Sequence, residues 1–360
     1  MHAAASYNDL SDAQIHHDVP GASSPREPGC LFSFGVIADV QHADIDDGAS
    51  FKGVPRYYRG ALDVLDRAVD AWAAQKVDFA VHLGDIVDGY NPKDQSESAL
   101  RSVLDRFDRL GRPTYHMLGN HCLYNLPRAR LNEALGIEPL LPGPESLDEG
   151  DRGSFYSFSP HPGFRLVVLD AYAVSVLGWP EGDARRELAK RLLHENNPNA
   201  REGNPNSPEG LEGVARRFVQ FGGGLGAAQL AWLDEELSEA ASRGERAILA
   251  SHLPVHPDSA FPTCLLWDYE ECLAVIAKHP GTVALTLSGH MHRDGDSVGA
   301  DGTHHRCVYG VIETPPGEDC HAVVEVHADH IDIRGHGRVA NQRIPLVTPR
   351  GSHGAVVPGS

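Results

Sequence analysis

The stretch IADVQHAD, residues 37–44, is a short apolar run that ends abruptly in side chains able to bind a metal ion. The same combination recurs in four later segments: HLGDIVD (82–88), LGNH (118–121), ASHLPVH (250–256) and LSGHMH (287–292). Each segment alone has an ordinary explanation, such as a turn or a core histidine. In an open α/β sheet, however, the carboxyl ends of the strands converge on one crevice. The ordered set therefore predicts an α/β fold with a metal centre at the strand ends.

The rest of the chain supports an α/β class. Helices are predicted over 57–75 and 226–243, where apolar residues recur at intervals of three and four. Two later segments, 305–313 and 321–338, predict strands without intervening helices, so we expect an antiparallel hairpin to close the sheet system. The buried strands are predicted at 32–40, 78–83, 114–118, 164–170, 247–251 and 283–288. This alternation is typical of a sheet covered by helices.

Composition sets the expected domain boundaries. The chain has 360 residues and is 41% hydrophobic, which is enough for a large core. Residues 1–30 predict a flexible N-terminal extension and residues 346–360 a flexible C-terminal tail. Between them, 31–345 predict a single catalytic domain. Its Asn- and Pro-rich segment, 194–210, predicts a loop insertion.

Charge and cysteine content restrict the partners and the compartment. The formal net charge of −19 would repel phosphate backbones and anionic membranes, so the expected partner is a small molecule rather than a nucleic acid or a membrane. No protein partner can be inferred. The six cysteines are scattered and form no CxxC pair, and no segment resembles a secretion leader or a membrane span. A reducing, cytoplasmic location is predicted.

The motifs resemble those of one known group of proteins. The order D-x-Q, GDxxD, GNH, a strand-end His and GHxH is similar to the calcineurin-like metallophosphoesterase superfamily. That resemblance implies a four-layer metallophosphoesterase fold, in which a central β-sandwich is flanked by helices and carries two metal ions. The strings FGGGLG, CLLWDYE and GVIETPP lie outside the metal motifs. They resemble the manganese-dependent ADP-ribose/CDP-alcohol diphosphatases, and this similarity runs from about residue 34 to residue 343.

The resemblance implies a ligand set for two divalent ions. Asp85 would bridge them, and a carboxylate between two cations should have a lowered pKa and stay ionised. Asp39, Gln41 and His292 would complete one site; the other would be completed by Asn120, His252 and His290. Gln41 stands where most of the superfamily has histidine. The resulting oxygen-rich site favours Mn²⁺ or Mg²⁺ over Zn²⁺.

Two further residues are candidates for catalysis. Alternation along an extended strand would place Gln41 on the same face as Asp39, toward the metals. Two metals would clamp the phosphoryl oxygens and activate a hydroxide for in-line attack. By resemblance, His121 would stabilise the transition state or protonate the leaving oxygen, a role that suits a group titrating near neutrality. Asp88 either orients His121 by accepting a hydrogen bond or caps a turn.

Substrate contacts are predicted by resemblance alone. The implied reaction splits the phosphoanhydride of ADP-ribose or of a CDP-alcohol, such as CDP-choline or CDP-glycerol, to AMP or CMP plus a phosphate ester. An arginine after the first metal loop would contact phosphate, unless it is simply solvated. An aromatic in a loop packs at least as often as it stacks on a base. The implied contact residues are Phe51, Arg56, Tyr90, Asn91, Phe221 and Cys264.

Two other functions compete with the diphosphatase. A cyclic-nucleotide phosphodiesterase or a phosphomonoesterase would use the same metal ligands. A non-catalytic scaffold would keep the fold but should have lost some ligands, whereas here the full set is present.

Overall fold

The computed structural model describes residues 27–137 and 153–346. The predicted flexible ends, 1–30 and 346–360, fall largely outside these ranges. The strands are β1 (Phe32–Ile37), β2 (Gly48–Ala49), β3 (Pro55–Arg56), β4 (Phe79–His82), β5 (Thr114–His116), β6 (Tyr156–His161), β7 (Phe164–Leu169), β8 (Arg246–Ser251), β9 (Val283–Ser288), β10 (Gly295–Val298), β11 (His304–Cys307), β12 (Cys320–Val326), β13 (His330–Gly337) and β14 (Gln342–Pro345). The helices are α1 (Gly60–Gln75), α2 (Ser96–Asp108), α3 (Asn120–Asn125), α4 (Arg128–Ala134), α5 (Ala184–Asn196), α6 (Pro198–Arg201), α7 (Gly226–Ser242) and α8 (Tyr269–Lys278).

Twelve of these strands form two six-stranded sheets. The first has the order β14-β13-β12-β1-β4-β5, and the second has the order β10-β11-β9-β8-β7-β6. In the first sheet β1, β4 and β5 are parallel, and the predicted antiparallel hairpin is confirmed as β12–β13. In the second sheet β7, β8, β9 and β11 are parallel. The parallel strands therefore end at one edge of each sheet, where ligands can meet.

The two sheets pack against each other through aromatic side chains. The ring of Phe32 on β1 contacts that of Phe164 on β7 edge to face, with 5.4 Å between centroids. The opposite face of β1 carries Gly35, where an added Cβ would lie 2.4 Å from the indole ring of Trp72 on α1. Glycine is therefore required for helix α1 to approach the sheet. Helix, sheet, sheet and helix form four layers.

Three details differ from the sequence prediction. The segment 194–210 is not a loop throughout, because α5 continues to Asn196 and α6 begins at Pro198. Asn197 caps α6 by accepting a hydrogen bond from the backbone N–H of Asn199. An Asn-Pro pair at this position starts a helix as readily as it makes a turn.

The first predicted strand and the strand predicted over 305–313 are also shorter than expected. β1 ends at Ile37 rather than at residue 40, and the strand predicted over 305–313 ends at Cys307. Residues Val311–Glu313 form a turn of 3₁₀ helix instead. Both differences lie at the edge where ligands converge, and there the backbone leaves the regular ladder. Among the described residues, no helix is long and apolar enough to cross a membrane.

Candidate metal centre

The backbone is unusual at the ends of β1, β4 and β9. Six described non-glycine residues have positive φ, and five of them are predicted metal ligands: Asp39, Gln41, Asp85, His290 and His292. Side chains other than glycine rarely adopt this conformation, which costs of the order of 1 kcal/mol each. The surrounding structure maintains it, for example through the backbone hydrogen bond from Gln41 N–H to Asp85 O at 2.8 Å. Strain concentrated on the ligands is typical of a functional site.

Asp85, His252 and His290 form the centre of the site. Their ligand atoms all lie within 4.8 Å of one another. His252 Nε2 is 3.4 Å from Asp85 Oδ2 and 3.2 Å from His290 Nδ1. The other nitrogen of His252, Nδ1, lies 2.7 Å from the carbonyl oxygen of Leu83, which orients the ring. The arrangement brings together residues that follow β4, β8 and β9.

Asn120 lies beside this group at the start of α3. The backbone N–H of the next residue, His121, donates to Asp85 Oδ1 at 2.8 Å, and Tyr172 Oη donates to Asn120 Oδ1 at 3.1 Å. An added Cβ at Gly119 would lie 2.0 Å from Asp85 Oδ1. The glycine of the GNH motif is therefore needed for α3 to begin directly against the bridging carboxylate.

Asp39, Gln41 and His292 form the other half of the site. His292 Nε2 is 3.4 Å from Asp39 Oδ1 and 2.9 Å from the amide nitrogen of Gln41. That amide nitrogen also donates to Asp85 Oδ2 at 3.2 Å, so this half adjoins the bridging carboxylate. The explanation given from the sequence was wrong, because residues 39 and 41 lie beyond β1 and do not alternate along a strand. The conclusion that Gln41 faces the centre agrees with these contacts.

The residues fit a pair of divalent cations. Asp39 Oδ1 and Gln41 Oε1 are buried, and neither has a hydrogen-bond partner among the described residues. A buried carboxylate or amide oxygen without a partner is costly, so these atoms fit a site that holds a cation.

The electrostatics of the centre favour ionised carboxylates. Burial alone would raise the pKa of Asp85, but the neighbouring His252 and His121 outweigh it and lower the pKa well below its ordinary value. Burial lowers the pKa of His290, and the adjacent His252 lowers it further. A neutral imidazole beside an ionised carboxylate is the protonation state that a metal ligand requires.

Of the two roles that the sequence left open for Asp88, the turn cap is seen directly, and the hydrogen bond to His121 would need a proton on Nδ1. Its Oδ1 accepts a hydrogen bond from the backbone N–H of Tyr90 at 2.8 Å, which caps the turn, while its Oδ2 lies 3.2 Å from His121 Nδ1. The same His121 nitrogen accepts the backbone N–H of Gly89 at 2.8 Å. When His121 is neutral its proton therefore sits on Nε2, and when it is charged Asp88 stabilises it.

The predicted substrate contacts fall into two groups, and the first group lies around His121. Arg56 lies nearby, because its Nη1 is 3.5 Å from Asp88 Oδ2. Tyr90 is 68% exposed and so is open to a ligand. Asn91 is only 2% exposed, and its amide nitrogen donates to Pro92 O at 2.9 Å. That burial is against its prediction as part of an open pocket wall.

The remaining predicted contacts lie on the other side of the centre. The ring of Phe221 is 5.8 Å from that of His290, between centroids. Cys264 follows Phe261, whose N–H donates to the sulfur of Met291, so this segment lies against the GHMH loop. Burial raises the pKa of the Cys264 thiol to about 12, which keeps it neutral. Phe51 is 90% exposed, and only the amine of Lys52 contacts its ring among the described cation–ring pairs.

Sequence reasoning missed two residues that support the ligands. Glu313 Oε1 lies 3.0 Å from His292 Nδ1 and its other oxygen binds Arg293. Tyr172 holds Asn120, as described above. Glu313 lies in the GVIETPP string, but that segment was predicted to be a strand, and only the 3₁₀ turn brings it to His292. A histidine that binds a metal usually donates the N–H of its second ring nitrogen to a carboxylate, so an acidic partner for His292 could have been sought in the sequence.

Comparisons with known proteins agree with this geometry. The family described as "Calcineurin-like phosphoesterase" matches residues 32–294. A relative from Oryza sativa subsp. japonica, named "Manganese-dependent ADP-ribose/CDP-alcohol diphosphatase", is 47% identical over 320 residues, which cover 89% of this chain and 95% of the relative. A relative of the same name from Homo sapiens is 39% identical over 332 residues, with 90% and 95% covered.

A solved structure is also similar. It is described as a dimetal phosphatase from Danio rerio, is 38% identical, and has a TM-score of 0.82 with 88% of this chain and 100% of that chain covered. The four-layer fold and the resemblance predicted from the sequence are both confirmed. This chain belongs to the calcineurin-like phosphoesterase family.

Proposed function

We propose that this protein is a manganese-dependent hydrolase that splits the phosphoanhydride of ADP-ribose and of CDP-alcohols, giving AMP or CMP and a phosphate ester. One observation carries the proposal: the strand-end ligands converge on a single centre in a chain that is 47% identical over 320 residues to a relative of that name. The non-catalytic scaffold is disfavoured because the buried ligand oxygens of Asp39 and Gln41 have no partner among the described residues.

The chain's own residues would position the cations and the substrate. Asp39, Gln41 and His292 would hold one ion; Asn120, His252 and His290 would hold the second, with Asp85 shared. Bound divalent cations polarise phosphoryl oxygens and make water a competent nucleophile at neutral pH. They would also attract an anionic substrate to a protein whose formal net charge is −19.

His121 would supply the proton for the leaving oxygen. The acid form of the ring is the imidazolium, and with Nδ1 turned toward Gly89 N–H the nitrogen open to the substrate is Nε2, which would give up the proton and leave a neutral imidazole. A ring that is charged before donation would be stabilised by Asp88 Oδ2, 3.2 Å from Nδ1. A well-placed general acid contributes about 10²- to 10⁴-fold to the rate.

Manganese is favoured by the donor atoms. Four of the seven proposed ligands offer oxygen: Asp39, Gln41, Asp85 and Asn120. Carboxylate and amide oxygens suit Mn²⁺ and Mg²⁺, whereas imidazole also suits Zn²⁺. A mixed set of this kind supports Mn²⁺, with Mg²⁺ as the second choice.

We also propose that residues 31–345 form one catalytic domain in a reducing, cytoplasmic setting. Five cysteines are free thiols: Cys122, Cys264, Cys272, Cys307 and Cys320. Cysteines that persist as thiols are usual where the compartment is reducing.

Hydrolysis assays would test the function. Metal-stripped protein would be supplied with Mn²⁺, Mg²⁺ or Zn²⁺ separately and given ADP-ribose, CDP-choline, CDP-glycerol, a cyclic nucleotide or a simple phosphomonoester. We expect AMP or CMP release that is fastest with Mn²⁺ and is reduced about 10²- to 10⁴-fold in His121→Ala. The matched control is His194→Ala, which removes an exposed histidine on α5.

The outcomes separate the competing functions. Turnover of the cyclic nucleotide or the monoester alone would keep the metal centre and overturn the diphosphatase. A protein that binds no divalent metal and turns over none of the substrates would support the scaffold instead.

A further inference from the structure

Four side chains with metal-binding atoms lie on one face of the β12–β13 hairpin. Glu325 pairs directly with Asp332 in the antiparallel register, and His327 N–H donates to His330 O at the next pair. Because side chains alternate along each strand, these two opposed pairs share a face. A two-residue turn, Ala328-Asp329, joins them. The local sequence EVHADHID therefore places two imidazoles and two carboxylates in two neighbouring cross-strand pairs on one face of the hairpin.

Within this hairpin cluster, defined as Glu325, His327, His330 and Asp332, three members are close enough to share one ion, and the fourth, Glu325, lies near His327. Ligand atoms of His327, His330 and Asp332 lie within 4.8 Å of one another, and those of Glu325 and His327 lie equally close in a second group with Glu27. The two imidazole rings stack with 4.2 Å between centroids and 8° between planes. The lone pairs of these nearly parallel rings lie in separate planes, so one ring would rotate on binding for both nitrogens to reach one ion.

Two of these side chains are deeply buried, and each has one polar atom without a hydrogen-bond partner among the described residues. His327 is 4% exposed and its Nε2 has no hydrogen-bond partner within the described part of the chain; Glu325 is 1% exposed and its Oε2 is likewise without one. A buried polar atom without a partner costs about 1–3 kcal/mol. A bound cation would satisfy both atoms at once.

His330 is oriented for ligation from outside the cluster. Its Nδ1 lies 2.7 Å from Asp329 Oδ1, while its Nε2 lies 3.3 Å from Asp332 Oδ2. A carboxylate that binds Nδ1–H fixes the tautomer in which Nε2 carries the lone pair. The same pairing of carboxylate, histidine and metal is common in zinc sites.

Arginines neutralise the two carboxylates without using all of their oxygens. Arg343 binds both oxygens of Asp332, with Nε 2.6 Å from Oδ1, and Arg334 binds Glu325 Oε1. Glu325 Oε2 is left free of these arginines, and each carboxylate oxygen has a second lone pair. The cluster therefore carries no excess of negative charge without an ion, and a bound dication would depend on Glu325 Oε2 and on the second lone pairs rather than on net charge.

This cluster is separate from the metal centre described above. Phe32 at the start of β1 pairs with Val326, whereas the metal ligands follow Ile37 at the opposite end of β1. At about 3.3 Å per residue, the length of β1 alone separates the two ends by roughly 16 Å. Metal binding at one site can therefore be removed by substitution and measured while the other site is kept.

We propose that the hairpin cluster binds one transition-metal dication of the Zn²⁺ class. Two imidazole nitrogens and two carboxylate oxygens form a donor set that Zn²⁺ accepts in four-coordinate sites. Imidazole nitrogens make it more selective for Zn²⁺ than the oxygen-rich half of the metal centre. The ion would join β12 to β13 and thereby stabilise the edge of the first sheet.

Zinc content after equilibrium dialysis would test the proposal. Metal-stripped full-length protein would be dialysed against buffered Zn²⁺ and its zinc measured by elemental analysis. We expect wild type to retain one zinc equivalent more per chain than His327→Gln/His330→Gln. We also expect added Zn²⁺ to raise the Tm of wild type more than that of the double variant, because a ligand stabilises the state that binds it.

A matched control lies on the same strand face. His336 stacks on His321 with 4.5 Å between centroids, as His327 does on His330, but it belongs to none of the metal-binding groups among the described residues. His336→Gln should therefore keep the extra zinc. His330→Gln alone removes a partly exposed ring and gives a variant that should fold if the double variant does not. Equal zinc in wild type and His330→Gln, with Mn²⁺-dependent activity intact in both, would overturn the proposal.

Discussion

The two sheets contribute different chemistry to one centre. The first sheet, through the ends of β1, β4 and β5, carries the proposed oxygen donors Asp39, Gln41, Asp85 and Asn120. The second sheet, through the ends of β8 and β9, carries the proposed nitrogen donors His252, His290 and His292. Neither sheet alone offers a complete set for either ion. The centre therefore exists only when the sheets are packed, which couples metal binding to folding.

The difference also explains where metal preference is set. Oxygen donors from the first sheet favour hard ions, and imidazoles from the second favour softer ones. Asp85 is the point at which the two contributions meet, because His252 from the second sheet lies 3.4 Å from it. Substitution of an oxygen donor on the first sheet should alter which ion binds. Substitution of Asp85, where the two contributions meet, should abolish metal binding.

Asp85→Asn should have the largest effect, because it removes the charge that both ions would share. We expect loss of at least one Mn²⁺ per chain and a fall in kcat/KM on the order of 10³-fold, which corresponds to about 4 kcal/mol of transition-state stabilisation. Metal content and initial rates would be measured together. Asp46→Asn, in an exposed loop, is the matched control. Full Mn²⁺ content in Asp85→Asn would show that the two sheets do not meet at a shared ligand.

Glu313→Gln tests the support of a second-sheet histidine. Glu313 Oε1 is 3.0 Å from His292 Nδ1, so the neutral amide should hold the ring less firmly and lower its basicity. We expect Mn²⁺ affinity to fall about 10- to 100-fold. Isothermal titration of metal-stripped protein would measure it, with the exposed Glu318→Gln as control. An unchanged affinity would place His292 outside the coordination set.

Gln41→His would replace an oxygen donor of the first sheet with nitrogen. We expect the ratio of Zn²⁺ to Mn²⁺ affinity to rise by roughly tenfold, because imidazole suits Zn²⁺ better than an amide does. Competition between the two ions would measure this ratio in wild type and variant. The same preference in both proteins would mean that Gln41 does not bind the metal, and the contrast between the sheets would then rest on carboxylates alone.

Much of this arrangement could be predicted from sequence because the ligands follow strands in a fixed order. The apolar run before Asp85 and the GNH turn are local signals, so their positions were predictable. Glu313 and Tyr172 were not, since their roles depend on a 3₁₀ turn and a loop that local patterns do not specify. The positive φ angles of Asp39 and Gln41 could not be predicted either, because they depend on contacts with the loop after β4.

The last expected effect concerns folding stability, through a buried histidine of the first sheet that is not one of the predicted ligands. Burial, with help from His336 and Arg67, lowers the pKa of His321 from 6.5 to about 3. As pH falls below 6.5, His321 takes up a proton in the unfolded chain, whereas in the folded chain the buried ring stays neutral. The stability is therefore complete above pH 6.5 and is lost progressively toward pH 3.

His321→Leu should remove this dependence, which amounts to at most about 2 kcal/mol between pH 7 and pH 5. Urea unfolding of metal-stripped protein at both pH values would measure the free energy of unfolding without interference from the metal centre. His194→Leu removes a solvated ring and should keep the wild-type difference between the two pH values. If His321→Leu loses as much stability as wild type on acidification, the proton uptake lies elsewhere. If the loss is smaller, His321 is the buried neutral histidine that takes up the proton on unfolding.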